Sequence, residues 1–188
     1  PQRLAKIKSE MIFNQDLTLV VDSMKGIAAT QYFVMEKRCS KLEGAQKALE
    51  ELFGPYDFRR SQHPFIRQQS KKKLVCLVTT DSGFLGGLNM KVIQAGMKYN
   101  EEGTHYMVIG ERGVNYLKEF GIECTSYPGI NIDDTLFDLV DQIITNVFKF
   151  VKEQKFGHVI LVHPYSLSFL AQRVDSLNLI PCPMFFKN

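Results

Sequence analysis

From Arg3 to Phe53 the chain contains no proline, and its apolar residues recur at helical spacing. That pattern predicts one uninterrupted helix of roughly 50 residues, about 75 Å long at 1.5 Å per residue. The apolar stripe runs Leu17, Val21, Met24, Ala28, Tyr32, Met35, Cys39, Leu42, Leu49 and Phe53, in steps of four and three with one extra four between Ala28 and Tyr32. This is the spacing of a coiled-coil seam with a stutter. Each large seam residue is worth about 1.5–3 kcal/mol when buried, so the helix calls for a covering surface. Two coverings are open, a second helix or the chain's own C-terminal domain. Length favours the first, because a domain of that size has a radius of gyration of only about 13 Å. Gly26 and Gly44 stand inside the helix at about 1 kcal/mol each relative to Ala, which points to close approach at those positions.

Gly54-Pro55 ends the helical pattern, and a polar linker leads to Lys71-Lys72-Lys73. A different periodicity then begins. Leu74-Val75-Cys76-Leu77-Val78 reads as a buried strand, then come a Gly-rich turn, a helix near 87–100 and a strand over His105–Ile109. A second turn, Gly110-Glu111-Arg112-Gly113, opens a helix ending before Gly121, and a short strand runs from Ile122 to Tyr127. Asp133 or Asp134 caps a helix with Leu136, Val140, Ile143, Val147 and Val151 on its inner face. A strong strand over His158–Val162 precedes a weaker one around Ala171–Leu177. Alternating strands and helices predict an α/β fold, a small Rossmann-like domain with a mostly parallel sheet covered on both faces. The expected domains are a coiled-coil helix over 1–55, a linker over 56–72 and the Rossmann-like unit over 73–188.

Charge divides the same way. Residues 1–73 hold 14 Lys and Arg against 8 Asp and Glu, whereas residues 74–188 hold 9 against 12, so the first part is the one suited to an acidic partner. The four cysteines are far apart and lack metal-ligand spacing, which reads as free thiols in a reducing compartment. The opening residues alternate charged and apolar positions, unlike a signal peptide, and no run reaches the roughly 18 apolar residues of a membrane span. Direct membrane insertion is therefore not expected.

The place for chemistry in an open α/β sheet is the turn after the first strand, where glycines admit backbone amides to a phosphate. Here Gly83, Gly86 and Gly87 fit neither G-x-G-x-x-G nor a P-loop, and they read better as a turn that lets helix and strand pack. Asp81-Ser82-Gly83 has the look of an aspartic protease turn, but that chemistry needs two carboxylates sharing a proton and an all-β fold. His63, His105, His158 and His163 form no evident triad with Ser or Cys and an acid. No catalytic residue, metal site or cofactor is expected.

Five motifs stand in a fixed order: Ser23-Met24-Lys25-Gly26-Ile27-Ala28-Ala29-Thr30, His63-Pro64-Phe65, Asp81-Ser82-Gly83-Phe84-Leu85-Gly86-Gly87-Leu88-Asn89, Ile109-Gly110-Glu111-Arg112-Gly113-Val114 and Leu179-Ile180-Pro181-Cys182-Pro183. In that order they resemble the gamma subunit of F-type ATP synthases, the central rotor shaft. The third resembles the family's D-R-G-L-C-G-G-L-N turn, with Ser82 and Leu85 in place of the usual Arg and Cys. The family's C-terminal helix, antiparallel to the first, is not found after Asn188. Gly26 and the first-helix spacing fit the sodium-linked branch as well as the ordinary one.

The resemblance implies a non-catalytic subunit that couples transmembrane ion flow to ATP synthesis or hydrolysis. It implies as partners the alpha and beta subunits of the ring, epsilon and the membrane c-ring, with no nucleic acid. It places the chain peripherally on the cytoplasmic face of a bacterial inner membrane. Arg3, Lys6, Lys8, Met24 and Lys25 become candidates to face acidic loops of beta. Leu17, Val21, Ala28, Tyr32, Met35, Leu42 and Leu49 become the seam, and Asp81, Gly83, Gly86, Gly87 and Asn89 a structural turn. The competing readings are a nucleotide-binding α/β enzyme and an independent coiled-coil scaffold.

Overall fold

The computed structural model describes residues 2–58, 60–68, 70–83, 87–130, 136–168 and 171–182. The chain divides into two compact units, Pro1–Phe53 and Gly54–Asn188. The first is a single α-helix, α1 (Gln2–Phe53), of 52 residues. Three of its hydroxyls, on Thr18, Ser23 and Thr30, donate to the carbonyls four residues back, at 2.8, 2.8 and 3.0 Å. These polar side chains are therefore satisfied within the helix itself.

The second unit runs β1 (Lys73–Val78), α2 (Leu88–Met97), β2 (Thr104–Ile109), α3 (Glu111–Glu119), β3 (Cys124–Tyr127), α4 (Leu136–Lys152), β4 (His158–Ser166) and β5 (Gln172–Ile180). Its sheet has the order β3-β2-β1-β4-β5. The first four strands are mutually parallel and β5 is antiparallel to β4, the mostly parallel α/β arrangement expected. β1 lies at the centre, with Leu74 opposite both His105 and Val159.

Alternation along β1 builds a core on each face. Val75 and Leu77 join Val92 and Ile93 of α2, Leu117 of α3, and Tyr106 and Val108 of β2. On the other face Leu74 and Cys76 join Met107, Val159, and Val147 and Val151 of α4. Burial pushes the Cys76 thiol up to about 12, so it stays protonated and packs as a small apolar group. Helix and strand pack closely at Gly96 of α2, where a Cβ would overlap the Leu77 side chain.

Two boundaries differ from the sequence reading. Val140 is exposed although it shares a face with the buried Val147 and Val151, because it lies two to three turns nearer the N-terminal end of α4, and Phe150 packs against the core from beside that face. β5 continues past Leu177 to Ile180, since Asn178 still pairs with Ile160 and, across a register shift, Ile180 with Val159. The expected caps Asp133 and Asp134 lie outside the described residues.

His105 is held among aromatic rings, stacked on Phe150 at 4.9 Å and edge-on to Phe156 at 6.4 Å, with Nε2 2.8 Å from Thr125 Oγ1. Burial lowers its pKa below 6.5; His158 is lowered by burial and then by the Lys73 charge.

Both imidazoles are thus kept neutral in the folded state, while an unfolded chain takes up protons at about 6.5. Stability is expected to be full above that value and to fall as the pH drops through the depressed folded pKa values. Urea titrations between pH 7.5 and 5 should show this decline, and it should be shallower in His105→Gln. A second expectation concerns Gly96. Gly96→Ala should destabilise by about 1–3 kcal/mol through overpacking, and Leu77→Ala by about 2–5 kcal/mol through a cavity. The double variant should lose less than the sum in the same titrations, because the new methyl occupies the space the leucine vacates.

Candidate functional site

The loops at the C-terminal ends of β1, β2 and β3 are tied together by residues just past β1. Thr79 continues the ladder, its N–H donating to Ile109 O at 2.8 Å. Its hydroxyl donates to Ile109 O at 2.7 Å and accepts from Gly113 N at 3.0 Å, joining β1 to the first turn of α3. Gly110 must be glycine twice over: its φ is 97°, and a Cβ would sit 2.6 Å from the Thr79 carbonyl. A Cβ at Gly113 would likewise overlap the Thr79 side chain, so α3 can begin against β1 only without one.

Asp81 ties the third loop. Its Oδ1 accepts from Glu111 N at 2.9 Å and from Gly129 N at 2.9 Å, and its Oδ2 lies 3.0 Å from Gly129 N. Charge-assisted bonds of this kind are stronger than neutral ones. Gly129 is buried, and a Cβ there would lie 2.7 Å from the carboxyl carbon. Asn89, at the start of α2, accepts from Thr80 N at 3.3 Å and donates to Thr80 Oγ1 at 3.0 Å. Thr80 Oγ1 in turn donates to Ser82 O at 2.7 Å.

Asp81 and Asn89 thus bond at the rim through separate partners, Gly83 lies against the Arg112 side chain, and Gly87 stands at the head of α2. Gly86 lies outside the described residues. Sequence reasoning missed the partners of that network, above all Gly129 and Gly113. The dipeptide Pro128-Gly129 marks a loop, but nothing in the sequence tells which carboxylate its amide meets.

The chemistry of the rim is one of anchoring. The Asp81 carboxylate accepts from two backbone amides, and no second carboxylate shares a proton with it among the hydrogen bonds of the described residues. A shallow hollow of about 510 Å³ between α3 and β3 is lined by Glu111, Asn115, Lys118, Ser126 and Tyr127, without a nucleophile bonded to a base. Among the described residues no three His, Cys, Asp or Glu side chains gather as a metal-binding group, and no helix is long and apolar enough to cross a membrane.

The residues expected to contact a partner all lie on α1, where the charged Arg3, Lys6, Lys8 and Lys25 and the apolar Met24 are exposed. Helical rise separates them into two groups, since Lys25 stands 17 residues, about 25 Å, beyond Lys8. Lys6 reaches Glu10 at 4.0 Å, an exposed pair of little energetic weight. Of the seam, Leu17, Val21, Leu42 and Leu49 are exposed, whereas Tyr32 and Met35 are half-buried. Among the described residues of α1 nothing lies within 4 Å of a Cβ built at Gly26 or Gly44. Exposed apolar residues also stand off the seam: Leu4, Met11, Ile12, Phe13, Leu19, Val20, Ile27 and Phe33. At 100° per residue these fall on several sides of the helix, so the N-terminal half is apolar around much of its circumference and not along one stripe alone.

A family model described as ATP synthase matches residues 3–187. The ATP synthase gamma chain of Actinobacillus succinogenes is 27% identical over 130 residues, 65% of this chain and 45% of that one. The ATP synthase gamma chain of Histophilus somni is 19% identical over 187 residues, 95% of this chain and 65% of that one. This chain therefore spans about half to two thirds of the length of these relatives. In fold it is similar to a chain of the central stalk and c-ring of the Tetrahymena thermophila mitochondrial ATP synthase, with a TM-score of 0.61 and 16% identity over 88% of this chain and 74% of that one.

Asp81→Ala leaves the amides of Glu111 and Gly129 without their acceptor and should cost about 1–3 kcal/mol in urea denaturation. Asp81→Asn keeps one acceptor oxygen and should cost less. Amide exchange of Gly129 should quicken in the alanine variant before that of Leu74 or Leu77.

Proposed function

This chain belongs to the ATP synthase family typified by gamma chains, and from that membership we propose that it serves as the central-stalk subunit of an F-type ATPase. In this role α1 is one strand of a shaft inside the ring of alpha and beta subunits. The α/β unit meets epsilon and the c-ring, and rotation couples ion flow to ATP synthesis or hydrolysis on the ring. The subunit itself is non-catalytic, and it is peripheral to the membrane through its partners.

The observation that carries this reading is the extent of the match, which runs from residue 3 to residue 187 and so takes in both the helix and the α/β unit. The exposed apolar surface of α1 supports it. Met24 is 65% exposed, Leu42 69% and Leu17 50%, and each large side chain left in water forfeits about 1.5–3 kcal/mol available on burial. A paired helix within a surrounding ring accounts for both the seam and the apolar residues off it. The α/β unit supports a mechanical role in another way, since its most distinctive polar group, the Asp81 carboxylate, is bonded to backbone amides of two further loops.

The domains follow the same reading: a shaft helix over 1–55, a linker over 56–72 and the Rossmann-like unit over 73–188. Lys25 and Met24 are the proposed contact to an acidic loop of beta, with Arg3, Lys6 and Lys8 engaging the ring about 25 Å or more away along the helix.

Co-purification of the chain with alpha and beta is the first test; the scaffold reading expects none, and an enzyme reading expects the isolated chain to bind ATP or a dinucleotide. Within the assembled complex, Lys25→Glu is expected to leave subunit stoichiometry unchanged while lowering ATP-driven ion pumping. Wild-type pumping in that variant would remove Lys25 from the contact.

A further inference from the structure

The cations of the α/β unit are gathered at one end of its sheet. Residues 67–73, which lead into β1, contain Arg67, Lys71, Lys72 and Lys73 and no acid. Residues 149–158, which end α4 and lead into β4, contain Lys149, Lys152 and Lys155 against Glu153 alone. These two short segments thus carry seven basic side chains and one acidic, whereas the rest of the unit Gly54–Asn188 carries 8 and 12. A unit that is acidic elsewhere is strongly basic here.

The fold fastens the two segments side by side. The amides of Gly157 and His158 donate to Lys72 O at 3.1 and 3.2 Å, Lys73 pairs with His158 in the sheet, and a Cβ at Gly157 would overlap the backbone of Ser70. Lys72 Nζ stands 5.8 Å from the centre of the Phe156 ring, a cation–π contact. Arg67, Lys71, Lys72, Lys149, Lys152 and Lys155 are all exposed, and Lys73 bonds Glu101 at 2.7 Å. Even with Glu101 and its neighbour Glu102 included, the cations lead by seven to three. Asp138 and Asp141 belong to the first half of α4, about 12 Å or more along the helix from Lys149. Cations in the last turn of a helix complement its dipole, which explains Lys149 and Lys152. It does not explain Lys71, Lys72 and Lys155, which lie outside any helix and add to the same repulsion.

We propose that this basic end of the sheet is a docking surface for an acidic segment of a neighbouring subunit, in which several Asp or Glu side chains meet Lys71, Lys72, Lys152 and Lys155. This rests on the reading of the chain as a subunit of a rotary ATPase. Charge complementarity selects the occupant, since lysines are point charges on flexible stems and suit separate carboxylates spaced along a chain. A narrow segment is favoured over a membrane surface, because an anionic plane pressed on the lysines would also meet the exposed Glu101, Glu102 and Glu153.

The test uses the complex assembled from this chain with the alpha, beta and epsilon subunits and the c-ring. A zero-length carbodiimide joins lysines to carboxylates in contact, and mass spectrometry locates the links. The expected result is links from Lys71, Lys72, Lys152 or Lys155 to Asp or Glu of another subunit, reduced several-fold at 0.5 M salt, where the Debye length falls to about 4–5 Å. The triple variant Lys71→Glu/Lys152→Glu/Lys155→Glu should keep its Tm within about 4 °C of the wild type, because all three positions are exposed. The concentration of chain giving half-maximal ATP-driven pumping should rise about 3- to 30-fold, the weight of three exposed ion pairs. Lys91→Glu/Lys98→Glu/Lys118→Glu changes the net charge equally at exposed positions outside the two segments and should match the wild type. The docking surface is refuted if these lysines give no intersubunit link while other lysines do, or if the two triple variants assemble and pump alike. It is also refuted if the first variant loses only binding to phosphatidylglycerol vesicles, which would assign the surface to a membrane. Failure of the wild-type chain to assemble at all would overturn the rotor reading, and this surface with it.

Discussion

The α/β unit is organised by its central strand. β1 pairs in parallel with a strand on each side, and Leu74, Val75 and Leu77 are fully buried, alternately facing two separate cores. A strand in that position cannot shift by one residue without exchanging the contents of both cores. The turn at the end of β1 is consequently delivered to a defined point, and Thr79 and Asp81 bind the next two loops from there. The network at the rim depends on the register of a strand that takes no part in it.

Glycine is distributed in keeping with this. Gly96 admits Leu77 between helix and strand, Gly110 and Gly113 admit Thr79, Gly129 admits the Asp81 carboxylate, and Gly83 admits the Arg112 guanidinium. In each case a small residue lets a larger group from another element reach the backbone. Gly26 and Gly44 differ, because no described side chain of α1 comes near them. On the proposed function, the groups that approach there belong to other helices of the assembly.

The two units meet opposite physical demands. The α/β unit buries most of its large apolar strand residues and bonds the buried Thr79 and Asn89 internally, although the buried Tyr106 hydroxyl has no partner among the described residues. The rod does neither to the same degree: its hydroxyls are satisfied locally, but its apolar residues stand largely in water. On the proposed function such a chain is suited to transmit position and force between partners, and the Asp81 carboxylate helps to hold the loops of the rim together.

The sequence by itself determined the elements and their kind. Proline absence and 3.6-residue spacing defined α1, and apolar runs separated by glycine turns defined a parallel sheet, because both signals are local and repeat along the chain. It also marked Asp81, Gly83 and Asn89 as a turn. Only the tertiary structure decided what that turn does, since the partners of Asp81 lie 30 and 48 residues away and no local signal encodes such a meeting. The same holds for Arg112 over Gly83, for Gly96 under Leu77, and for the α4 face, where Val147 and Val151 are buried while Val140 on the same face is exposed. Periodicity tells which side of an element is apolar; how far along the element that side is covered depends on the extent of the surface it meets.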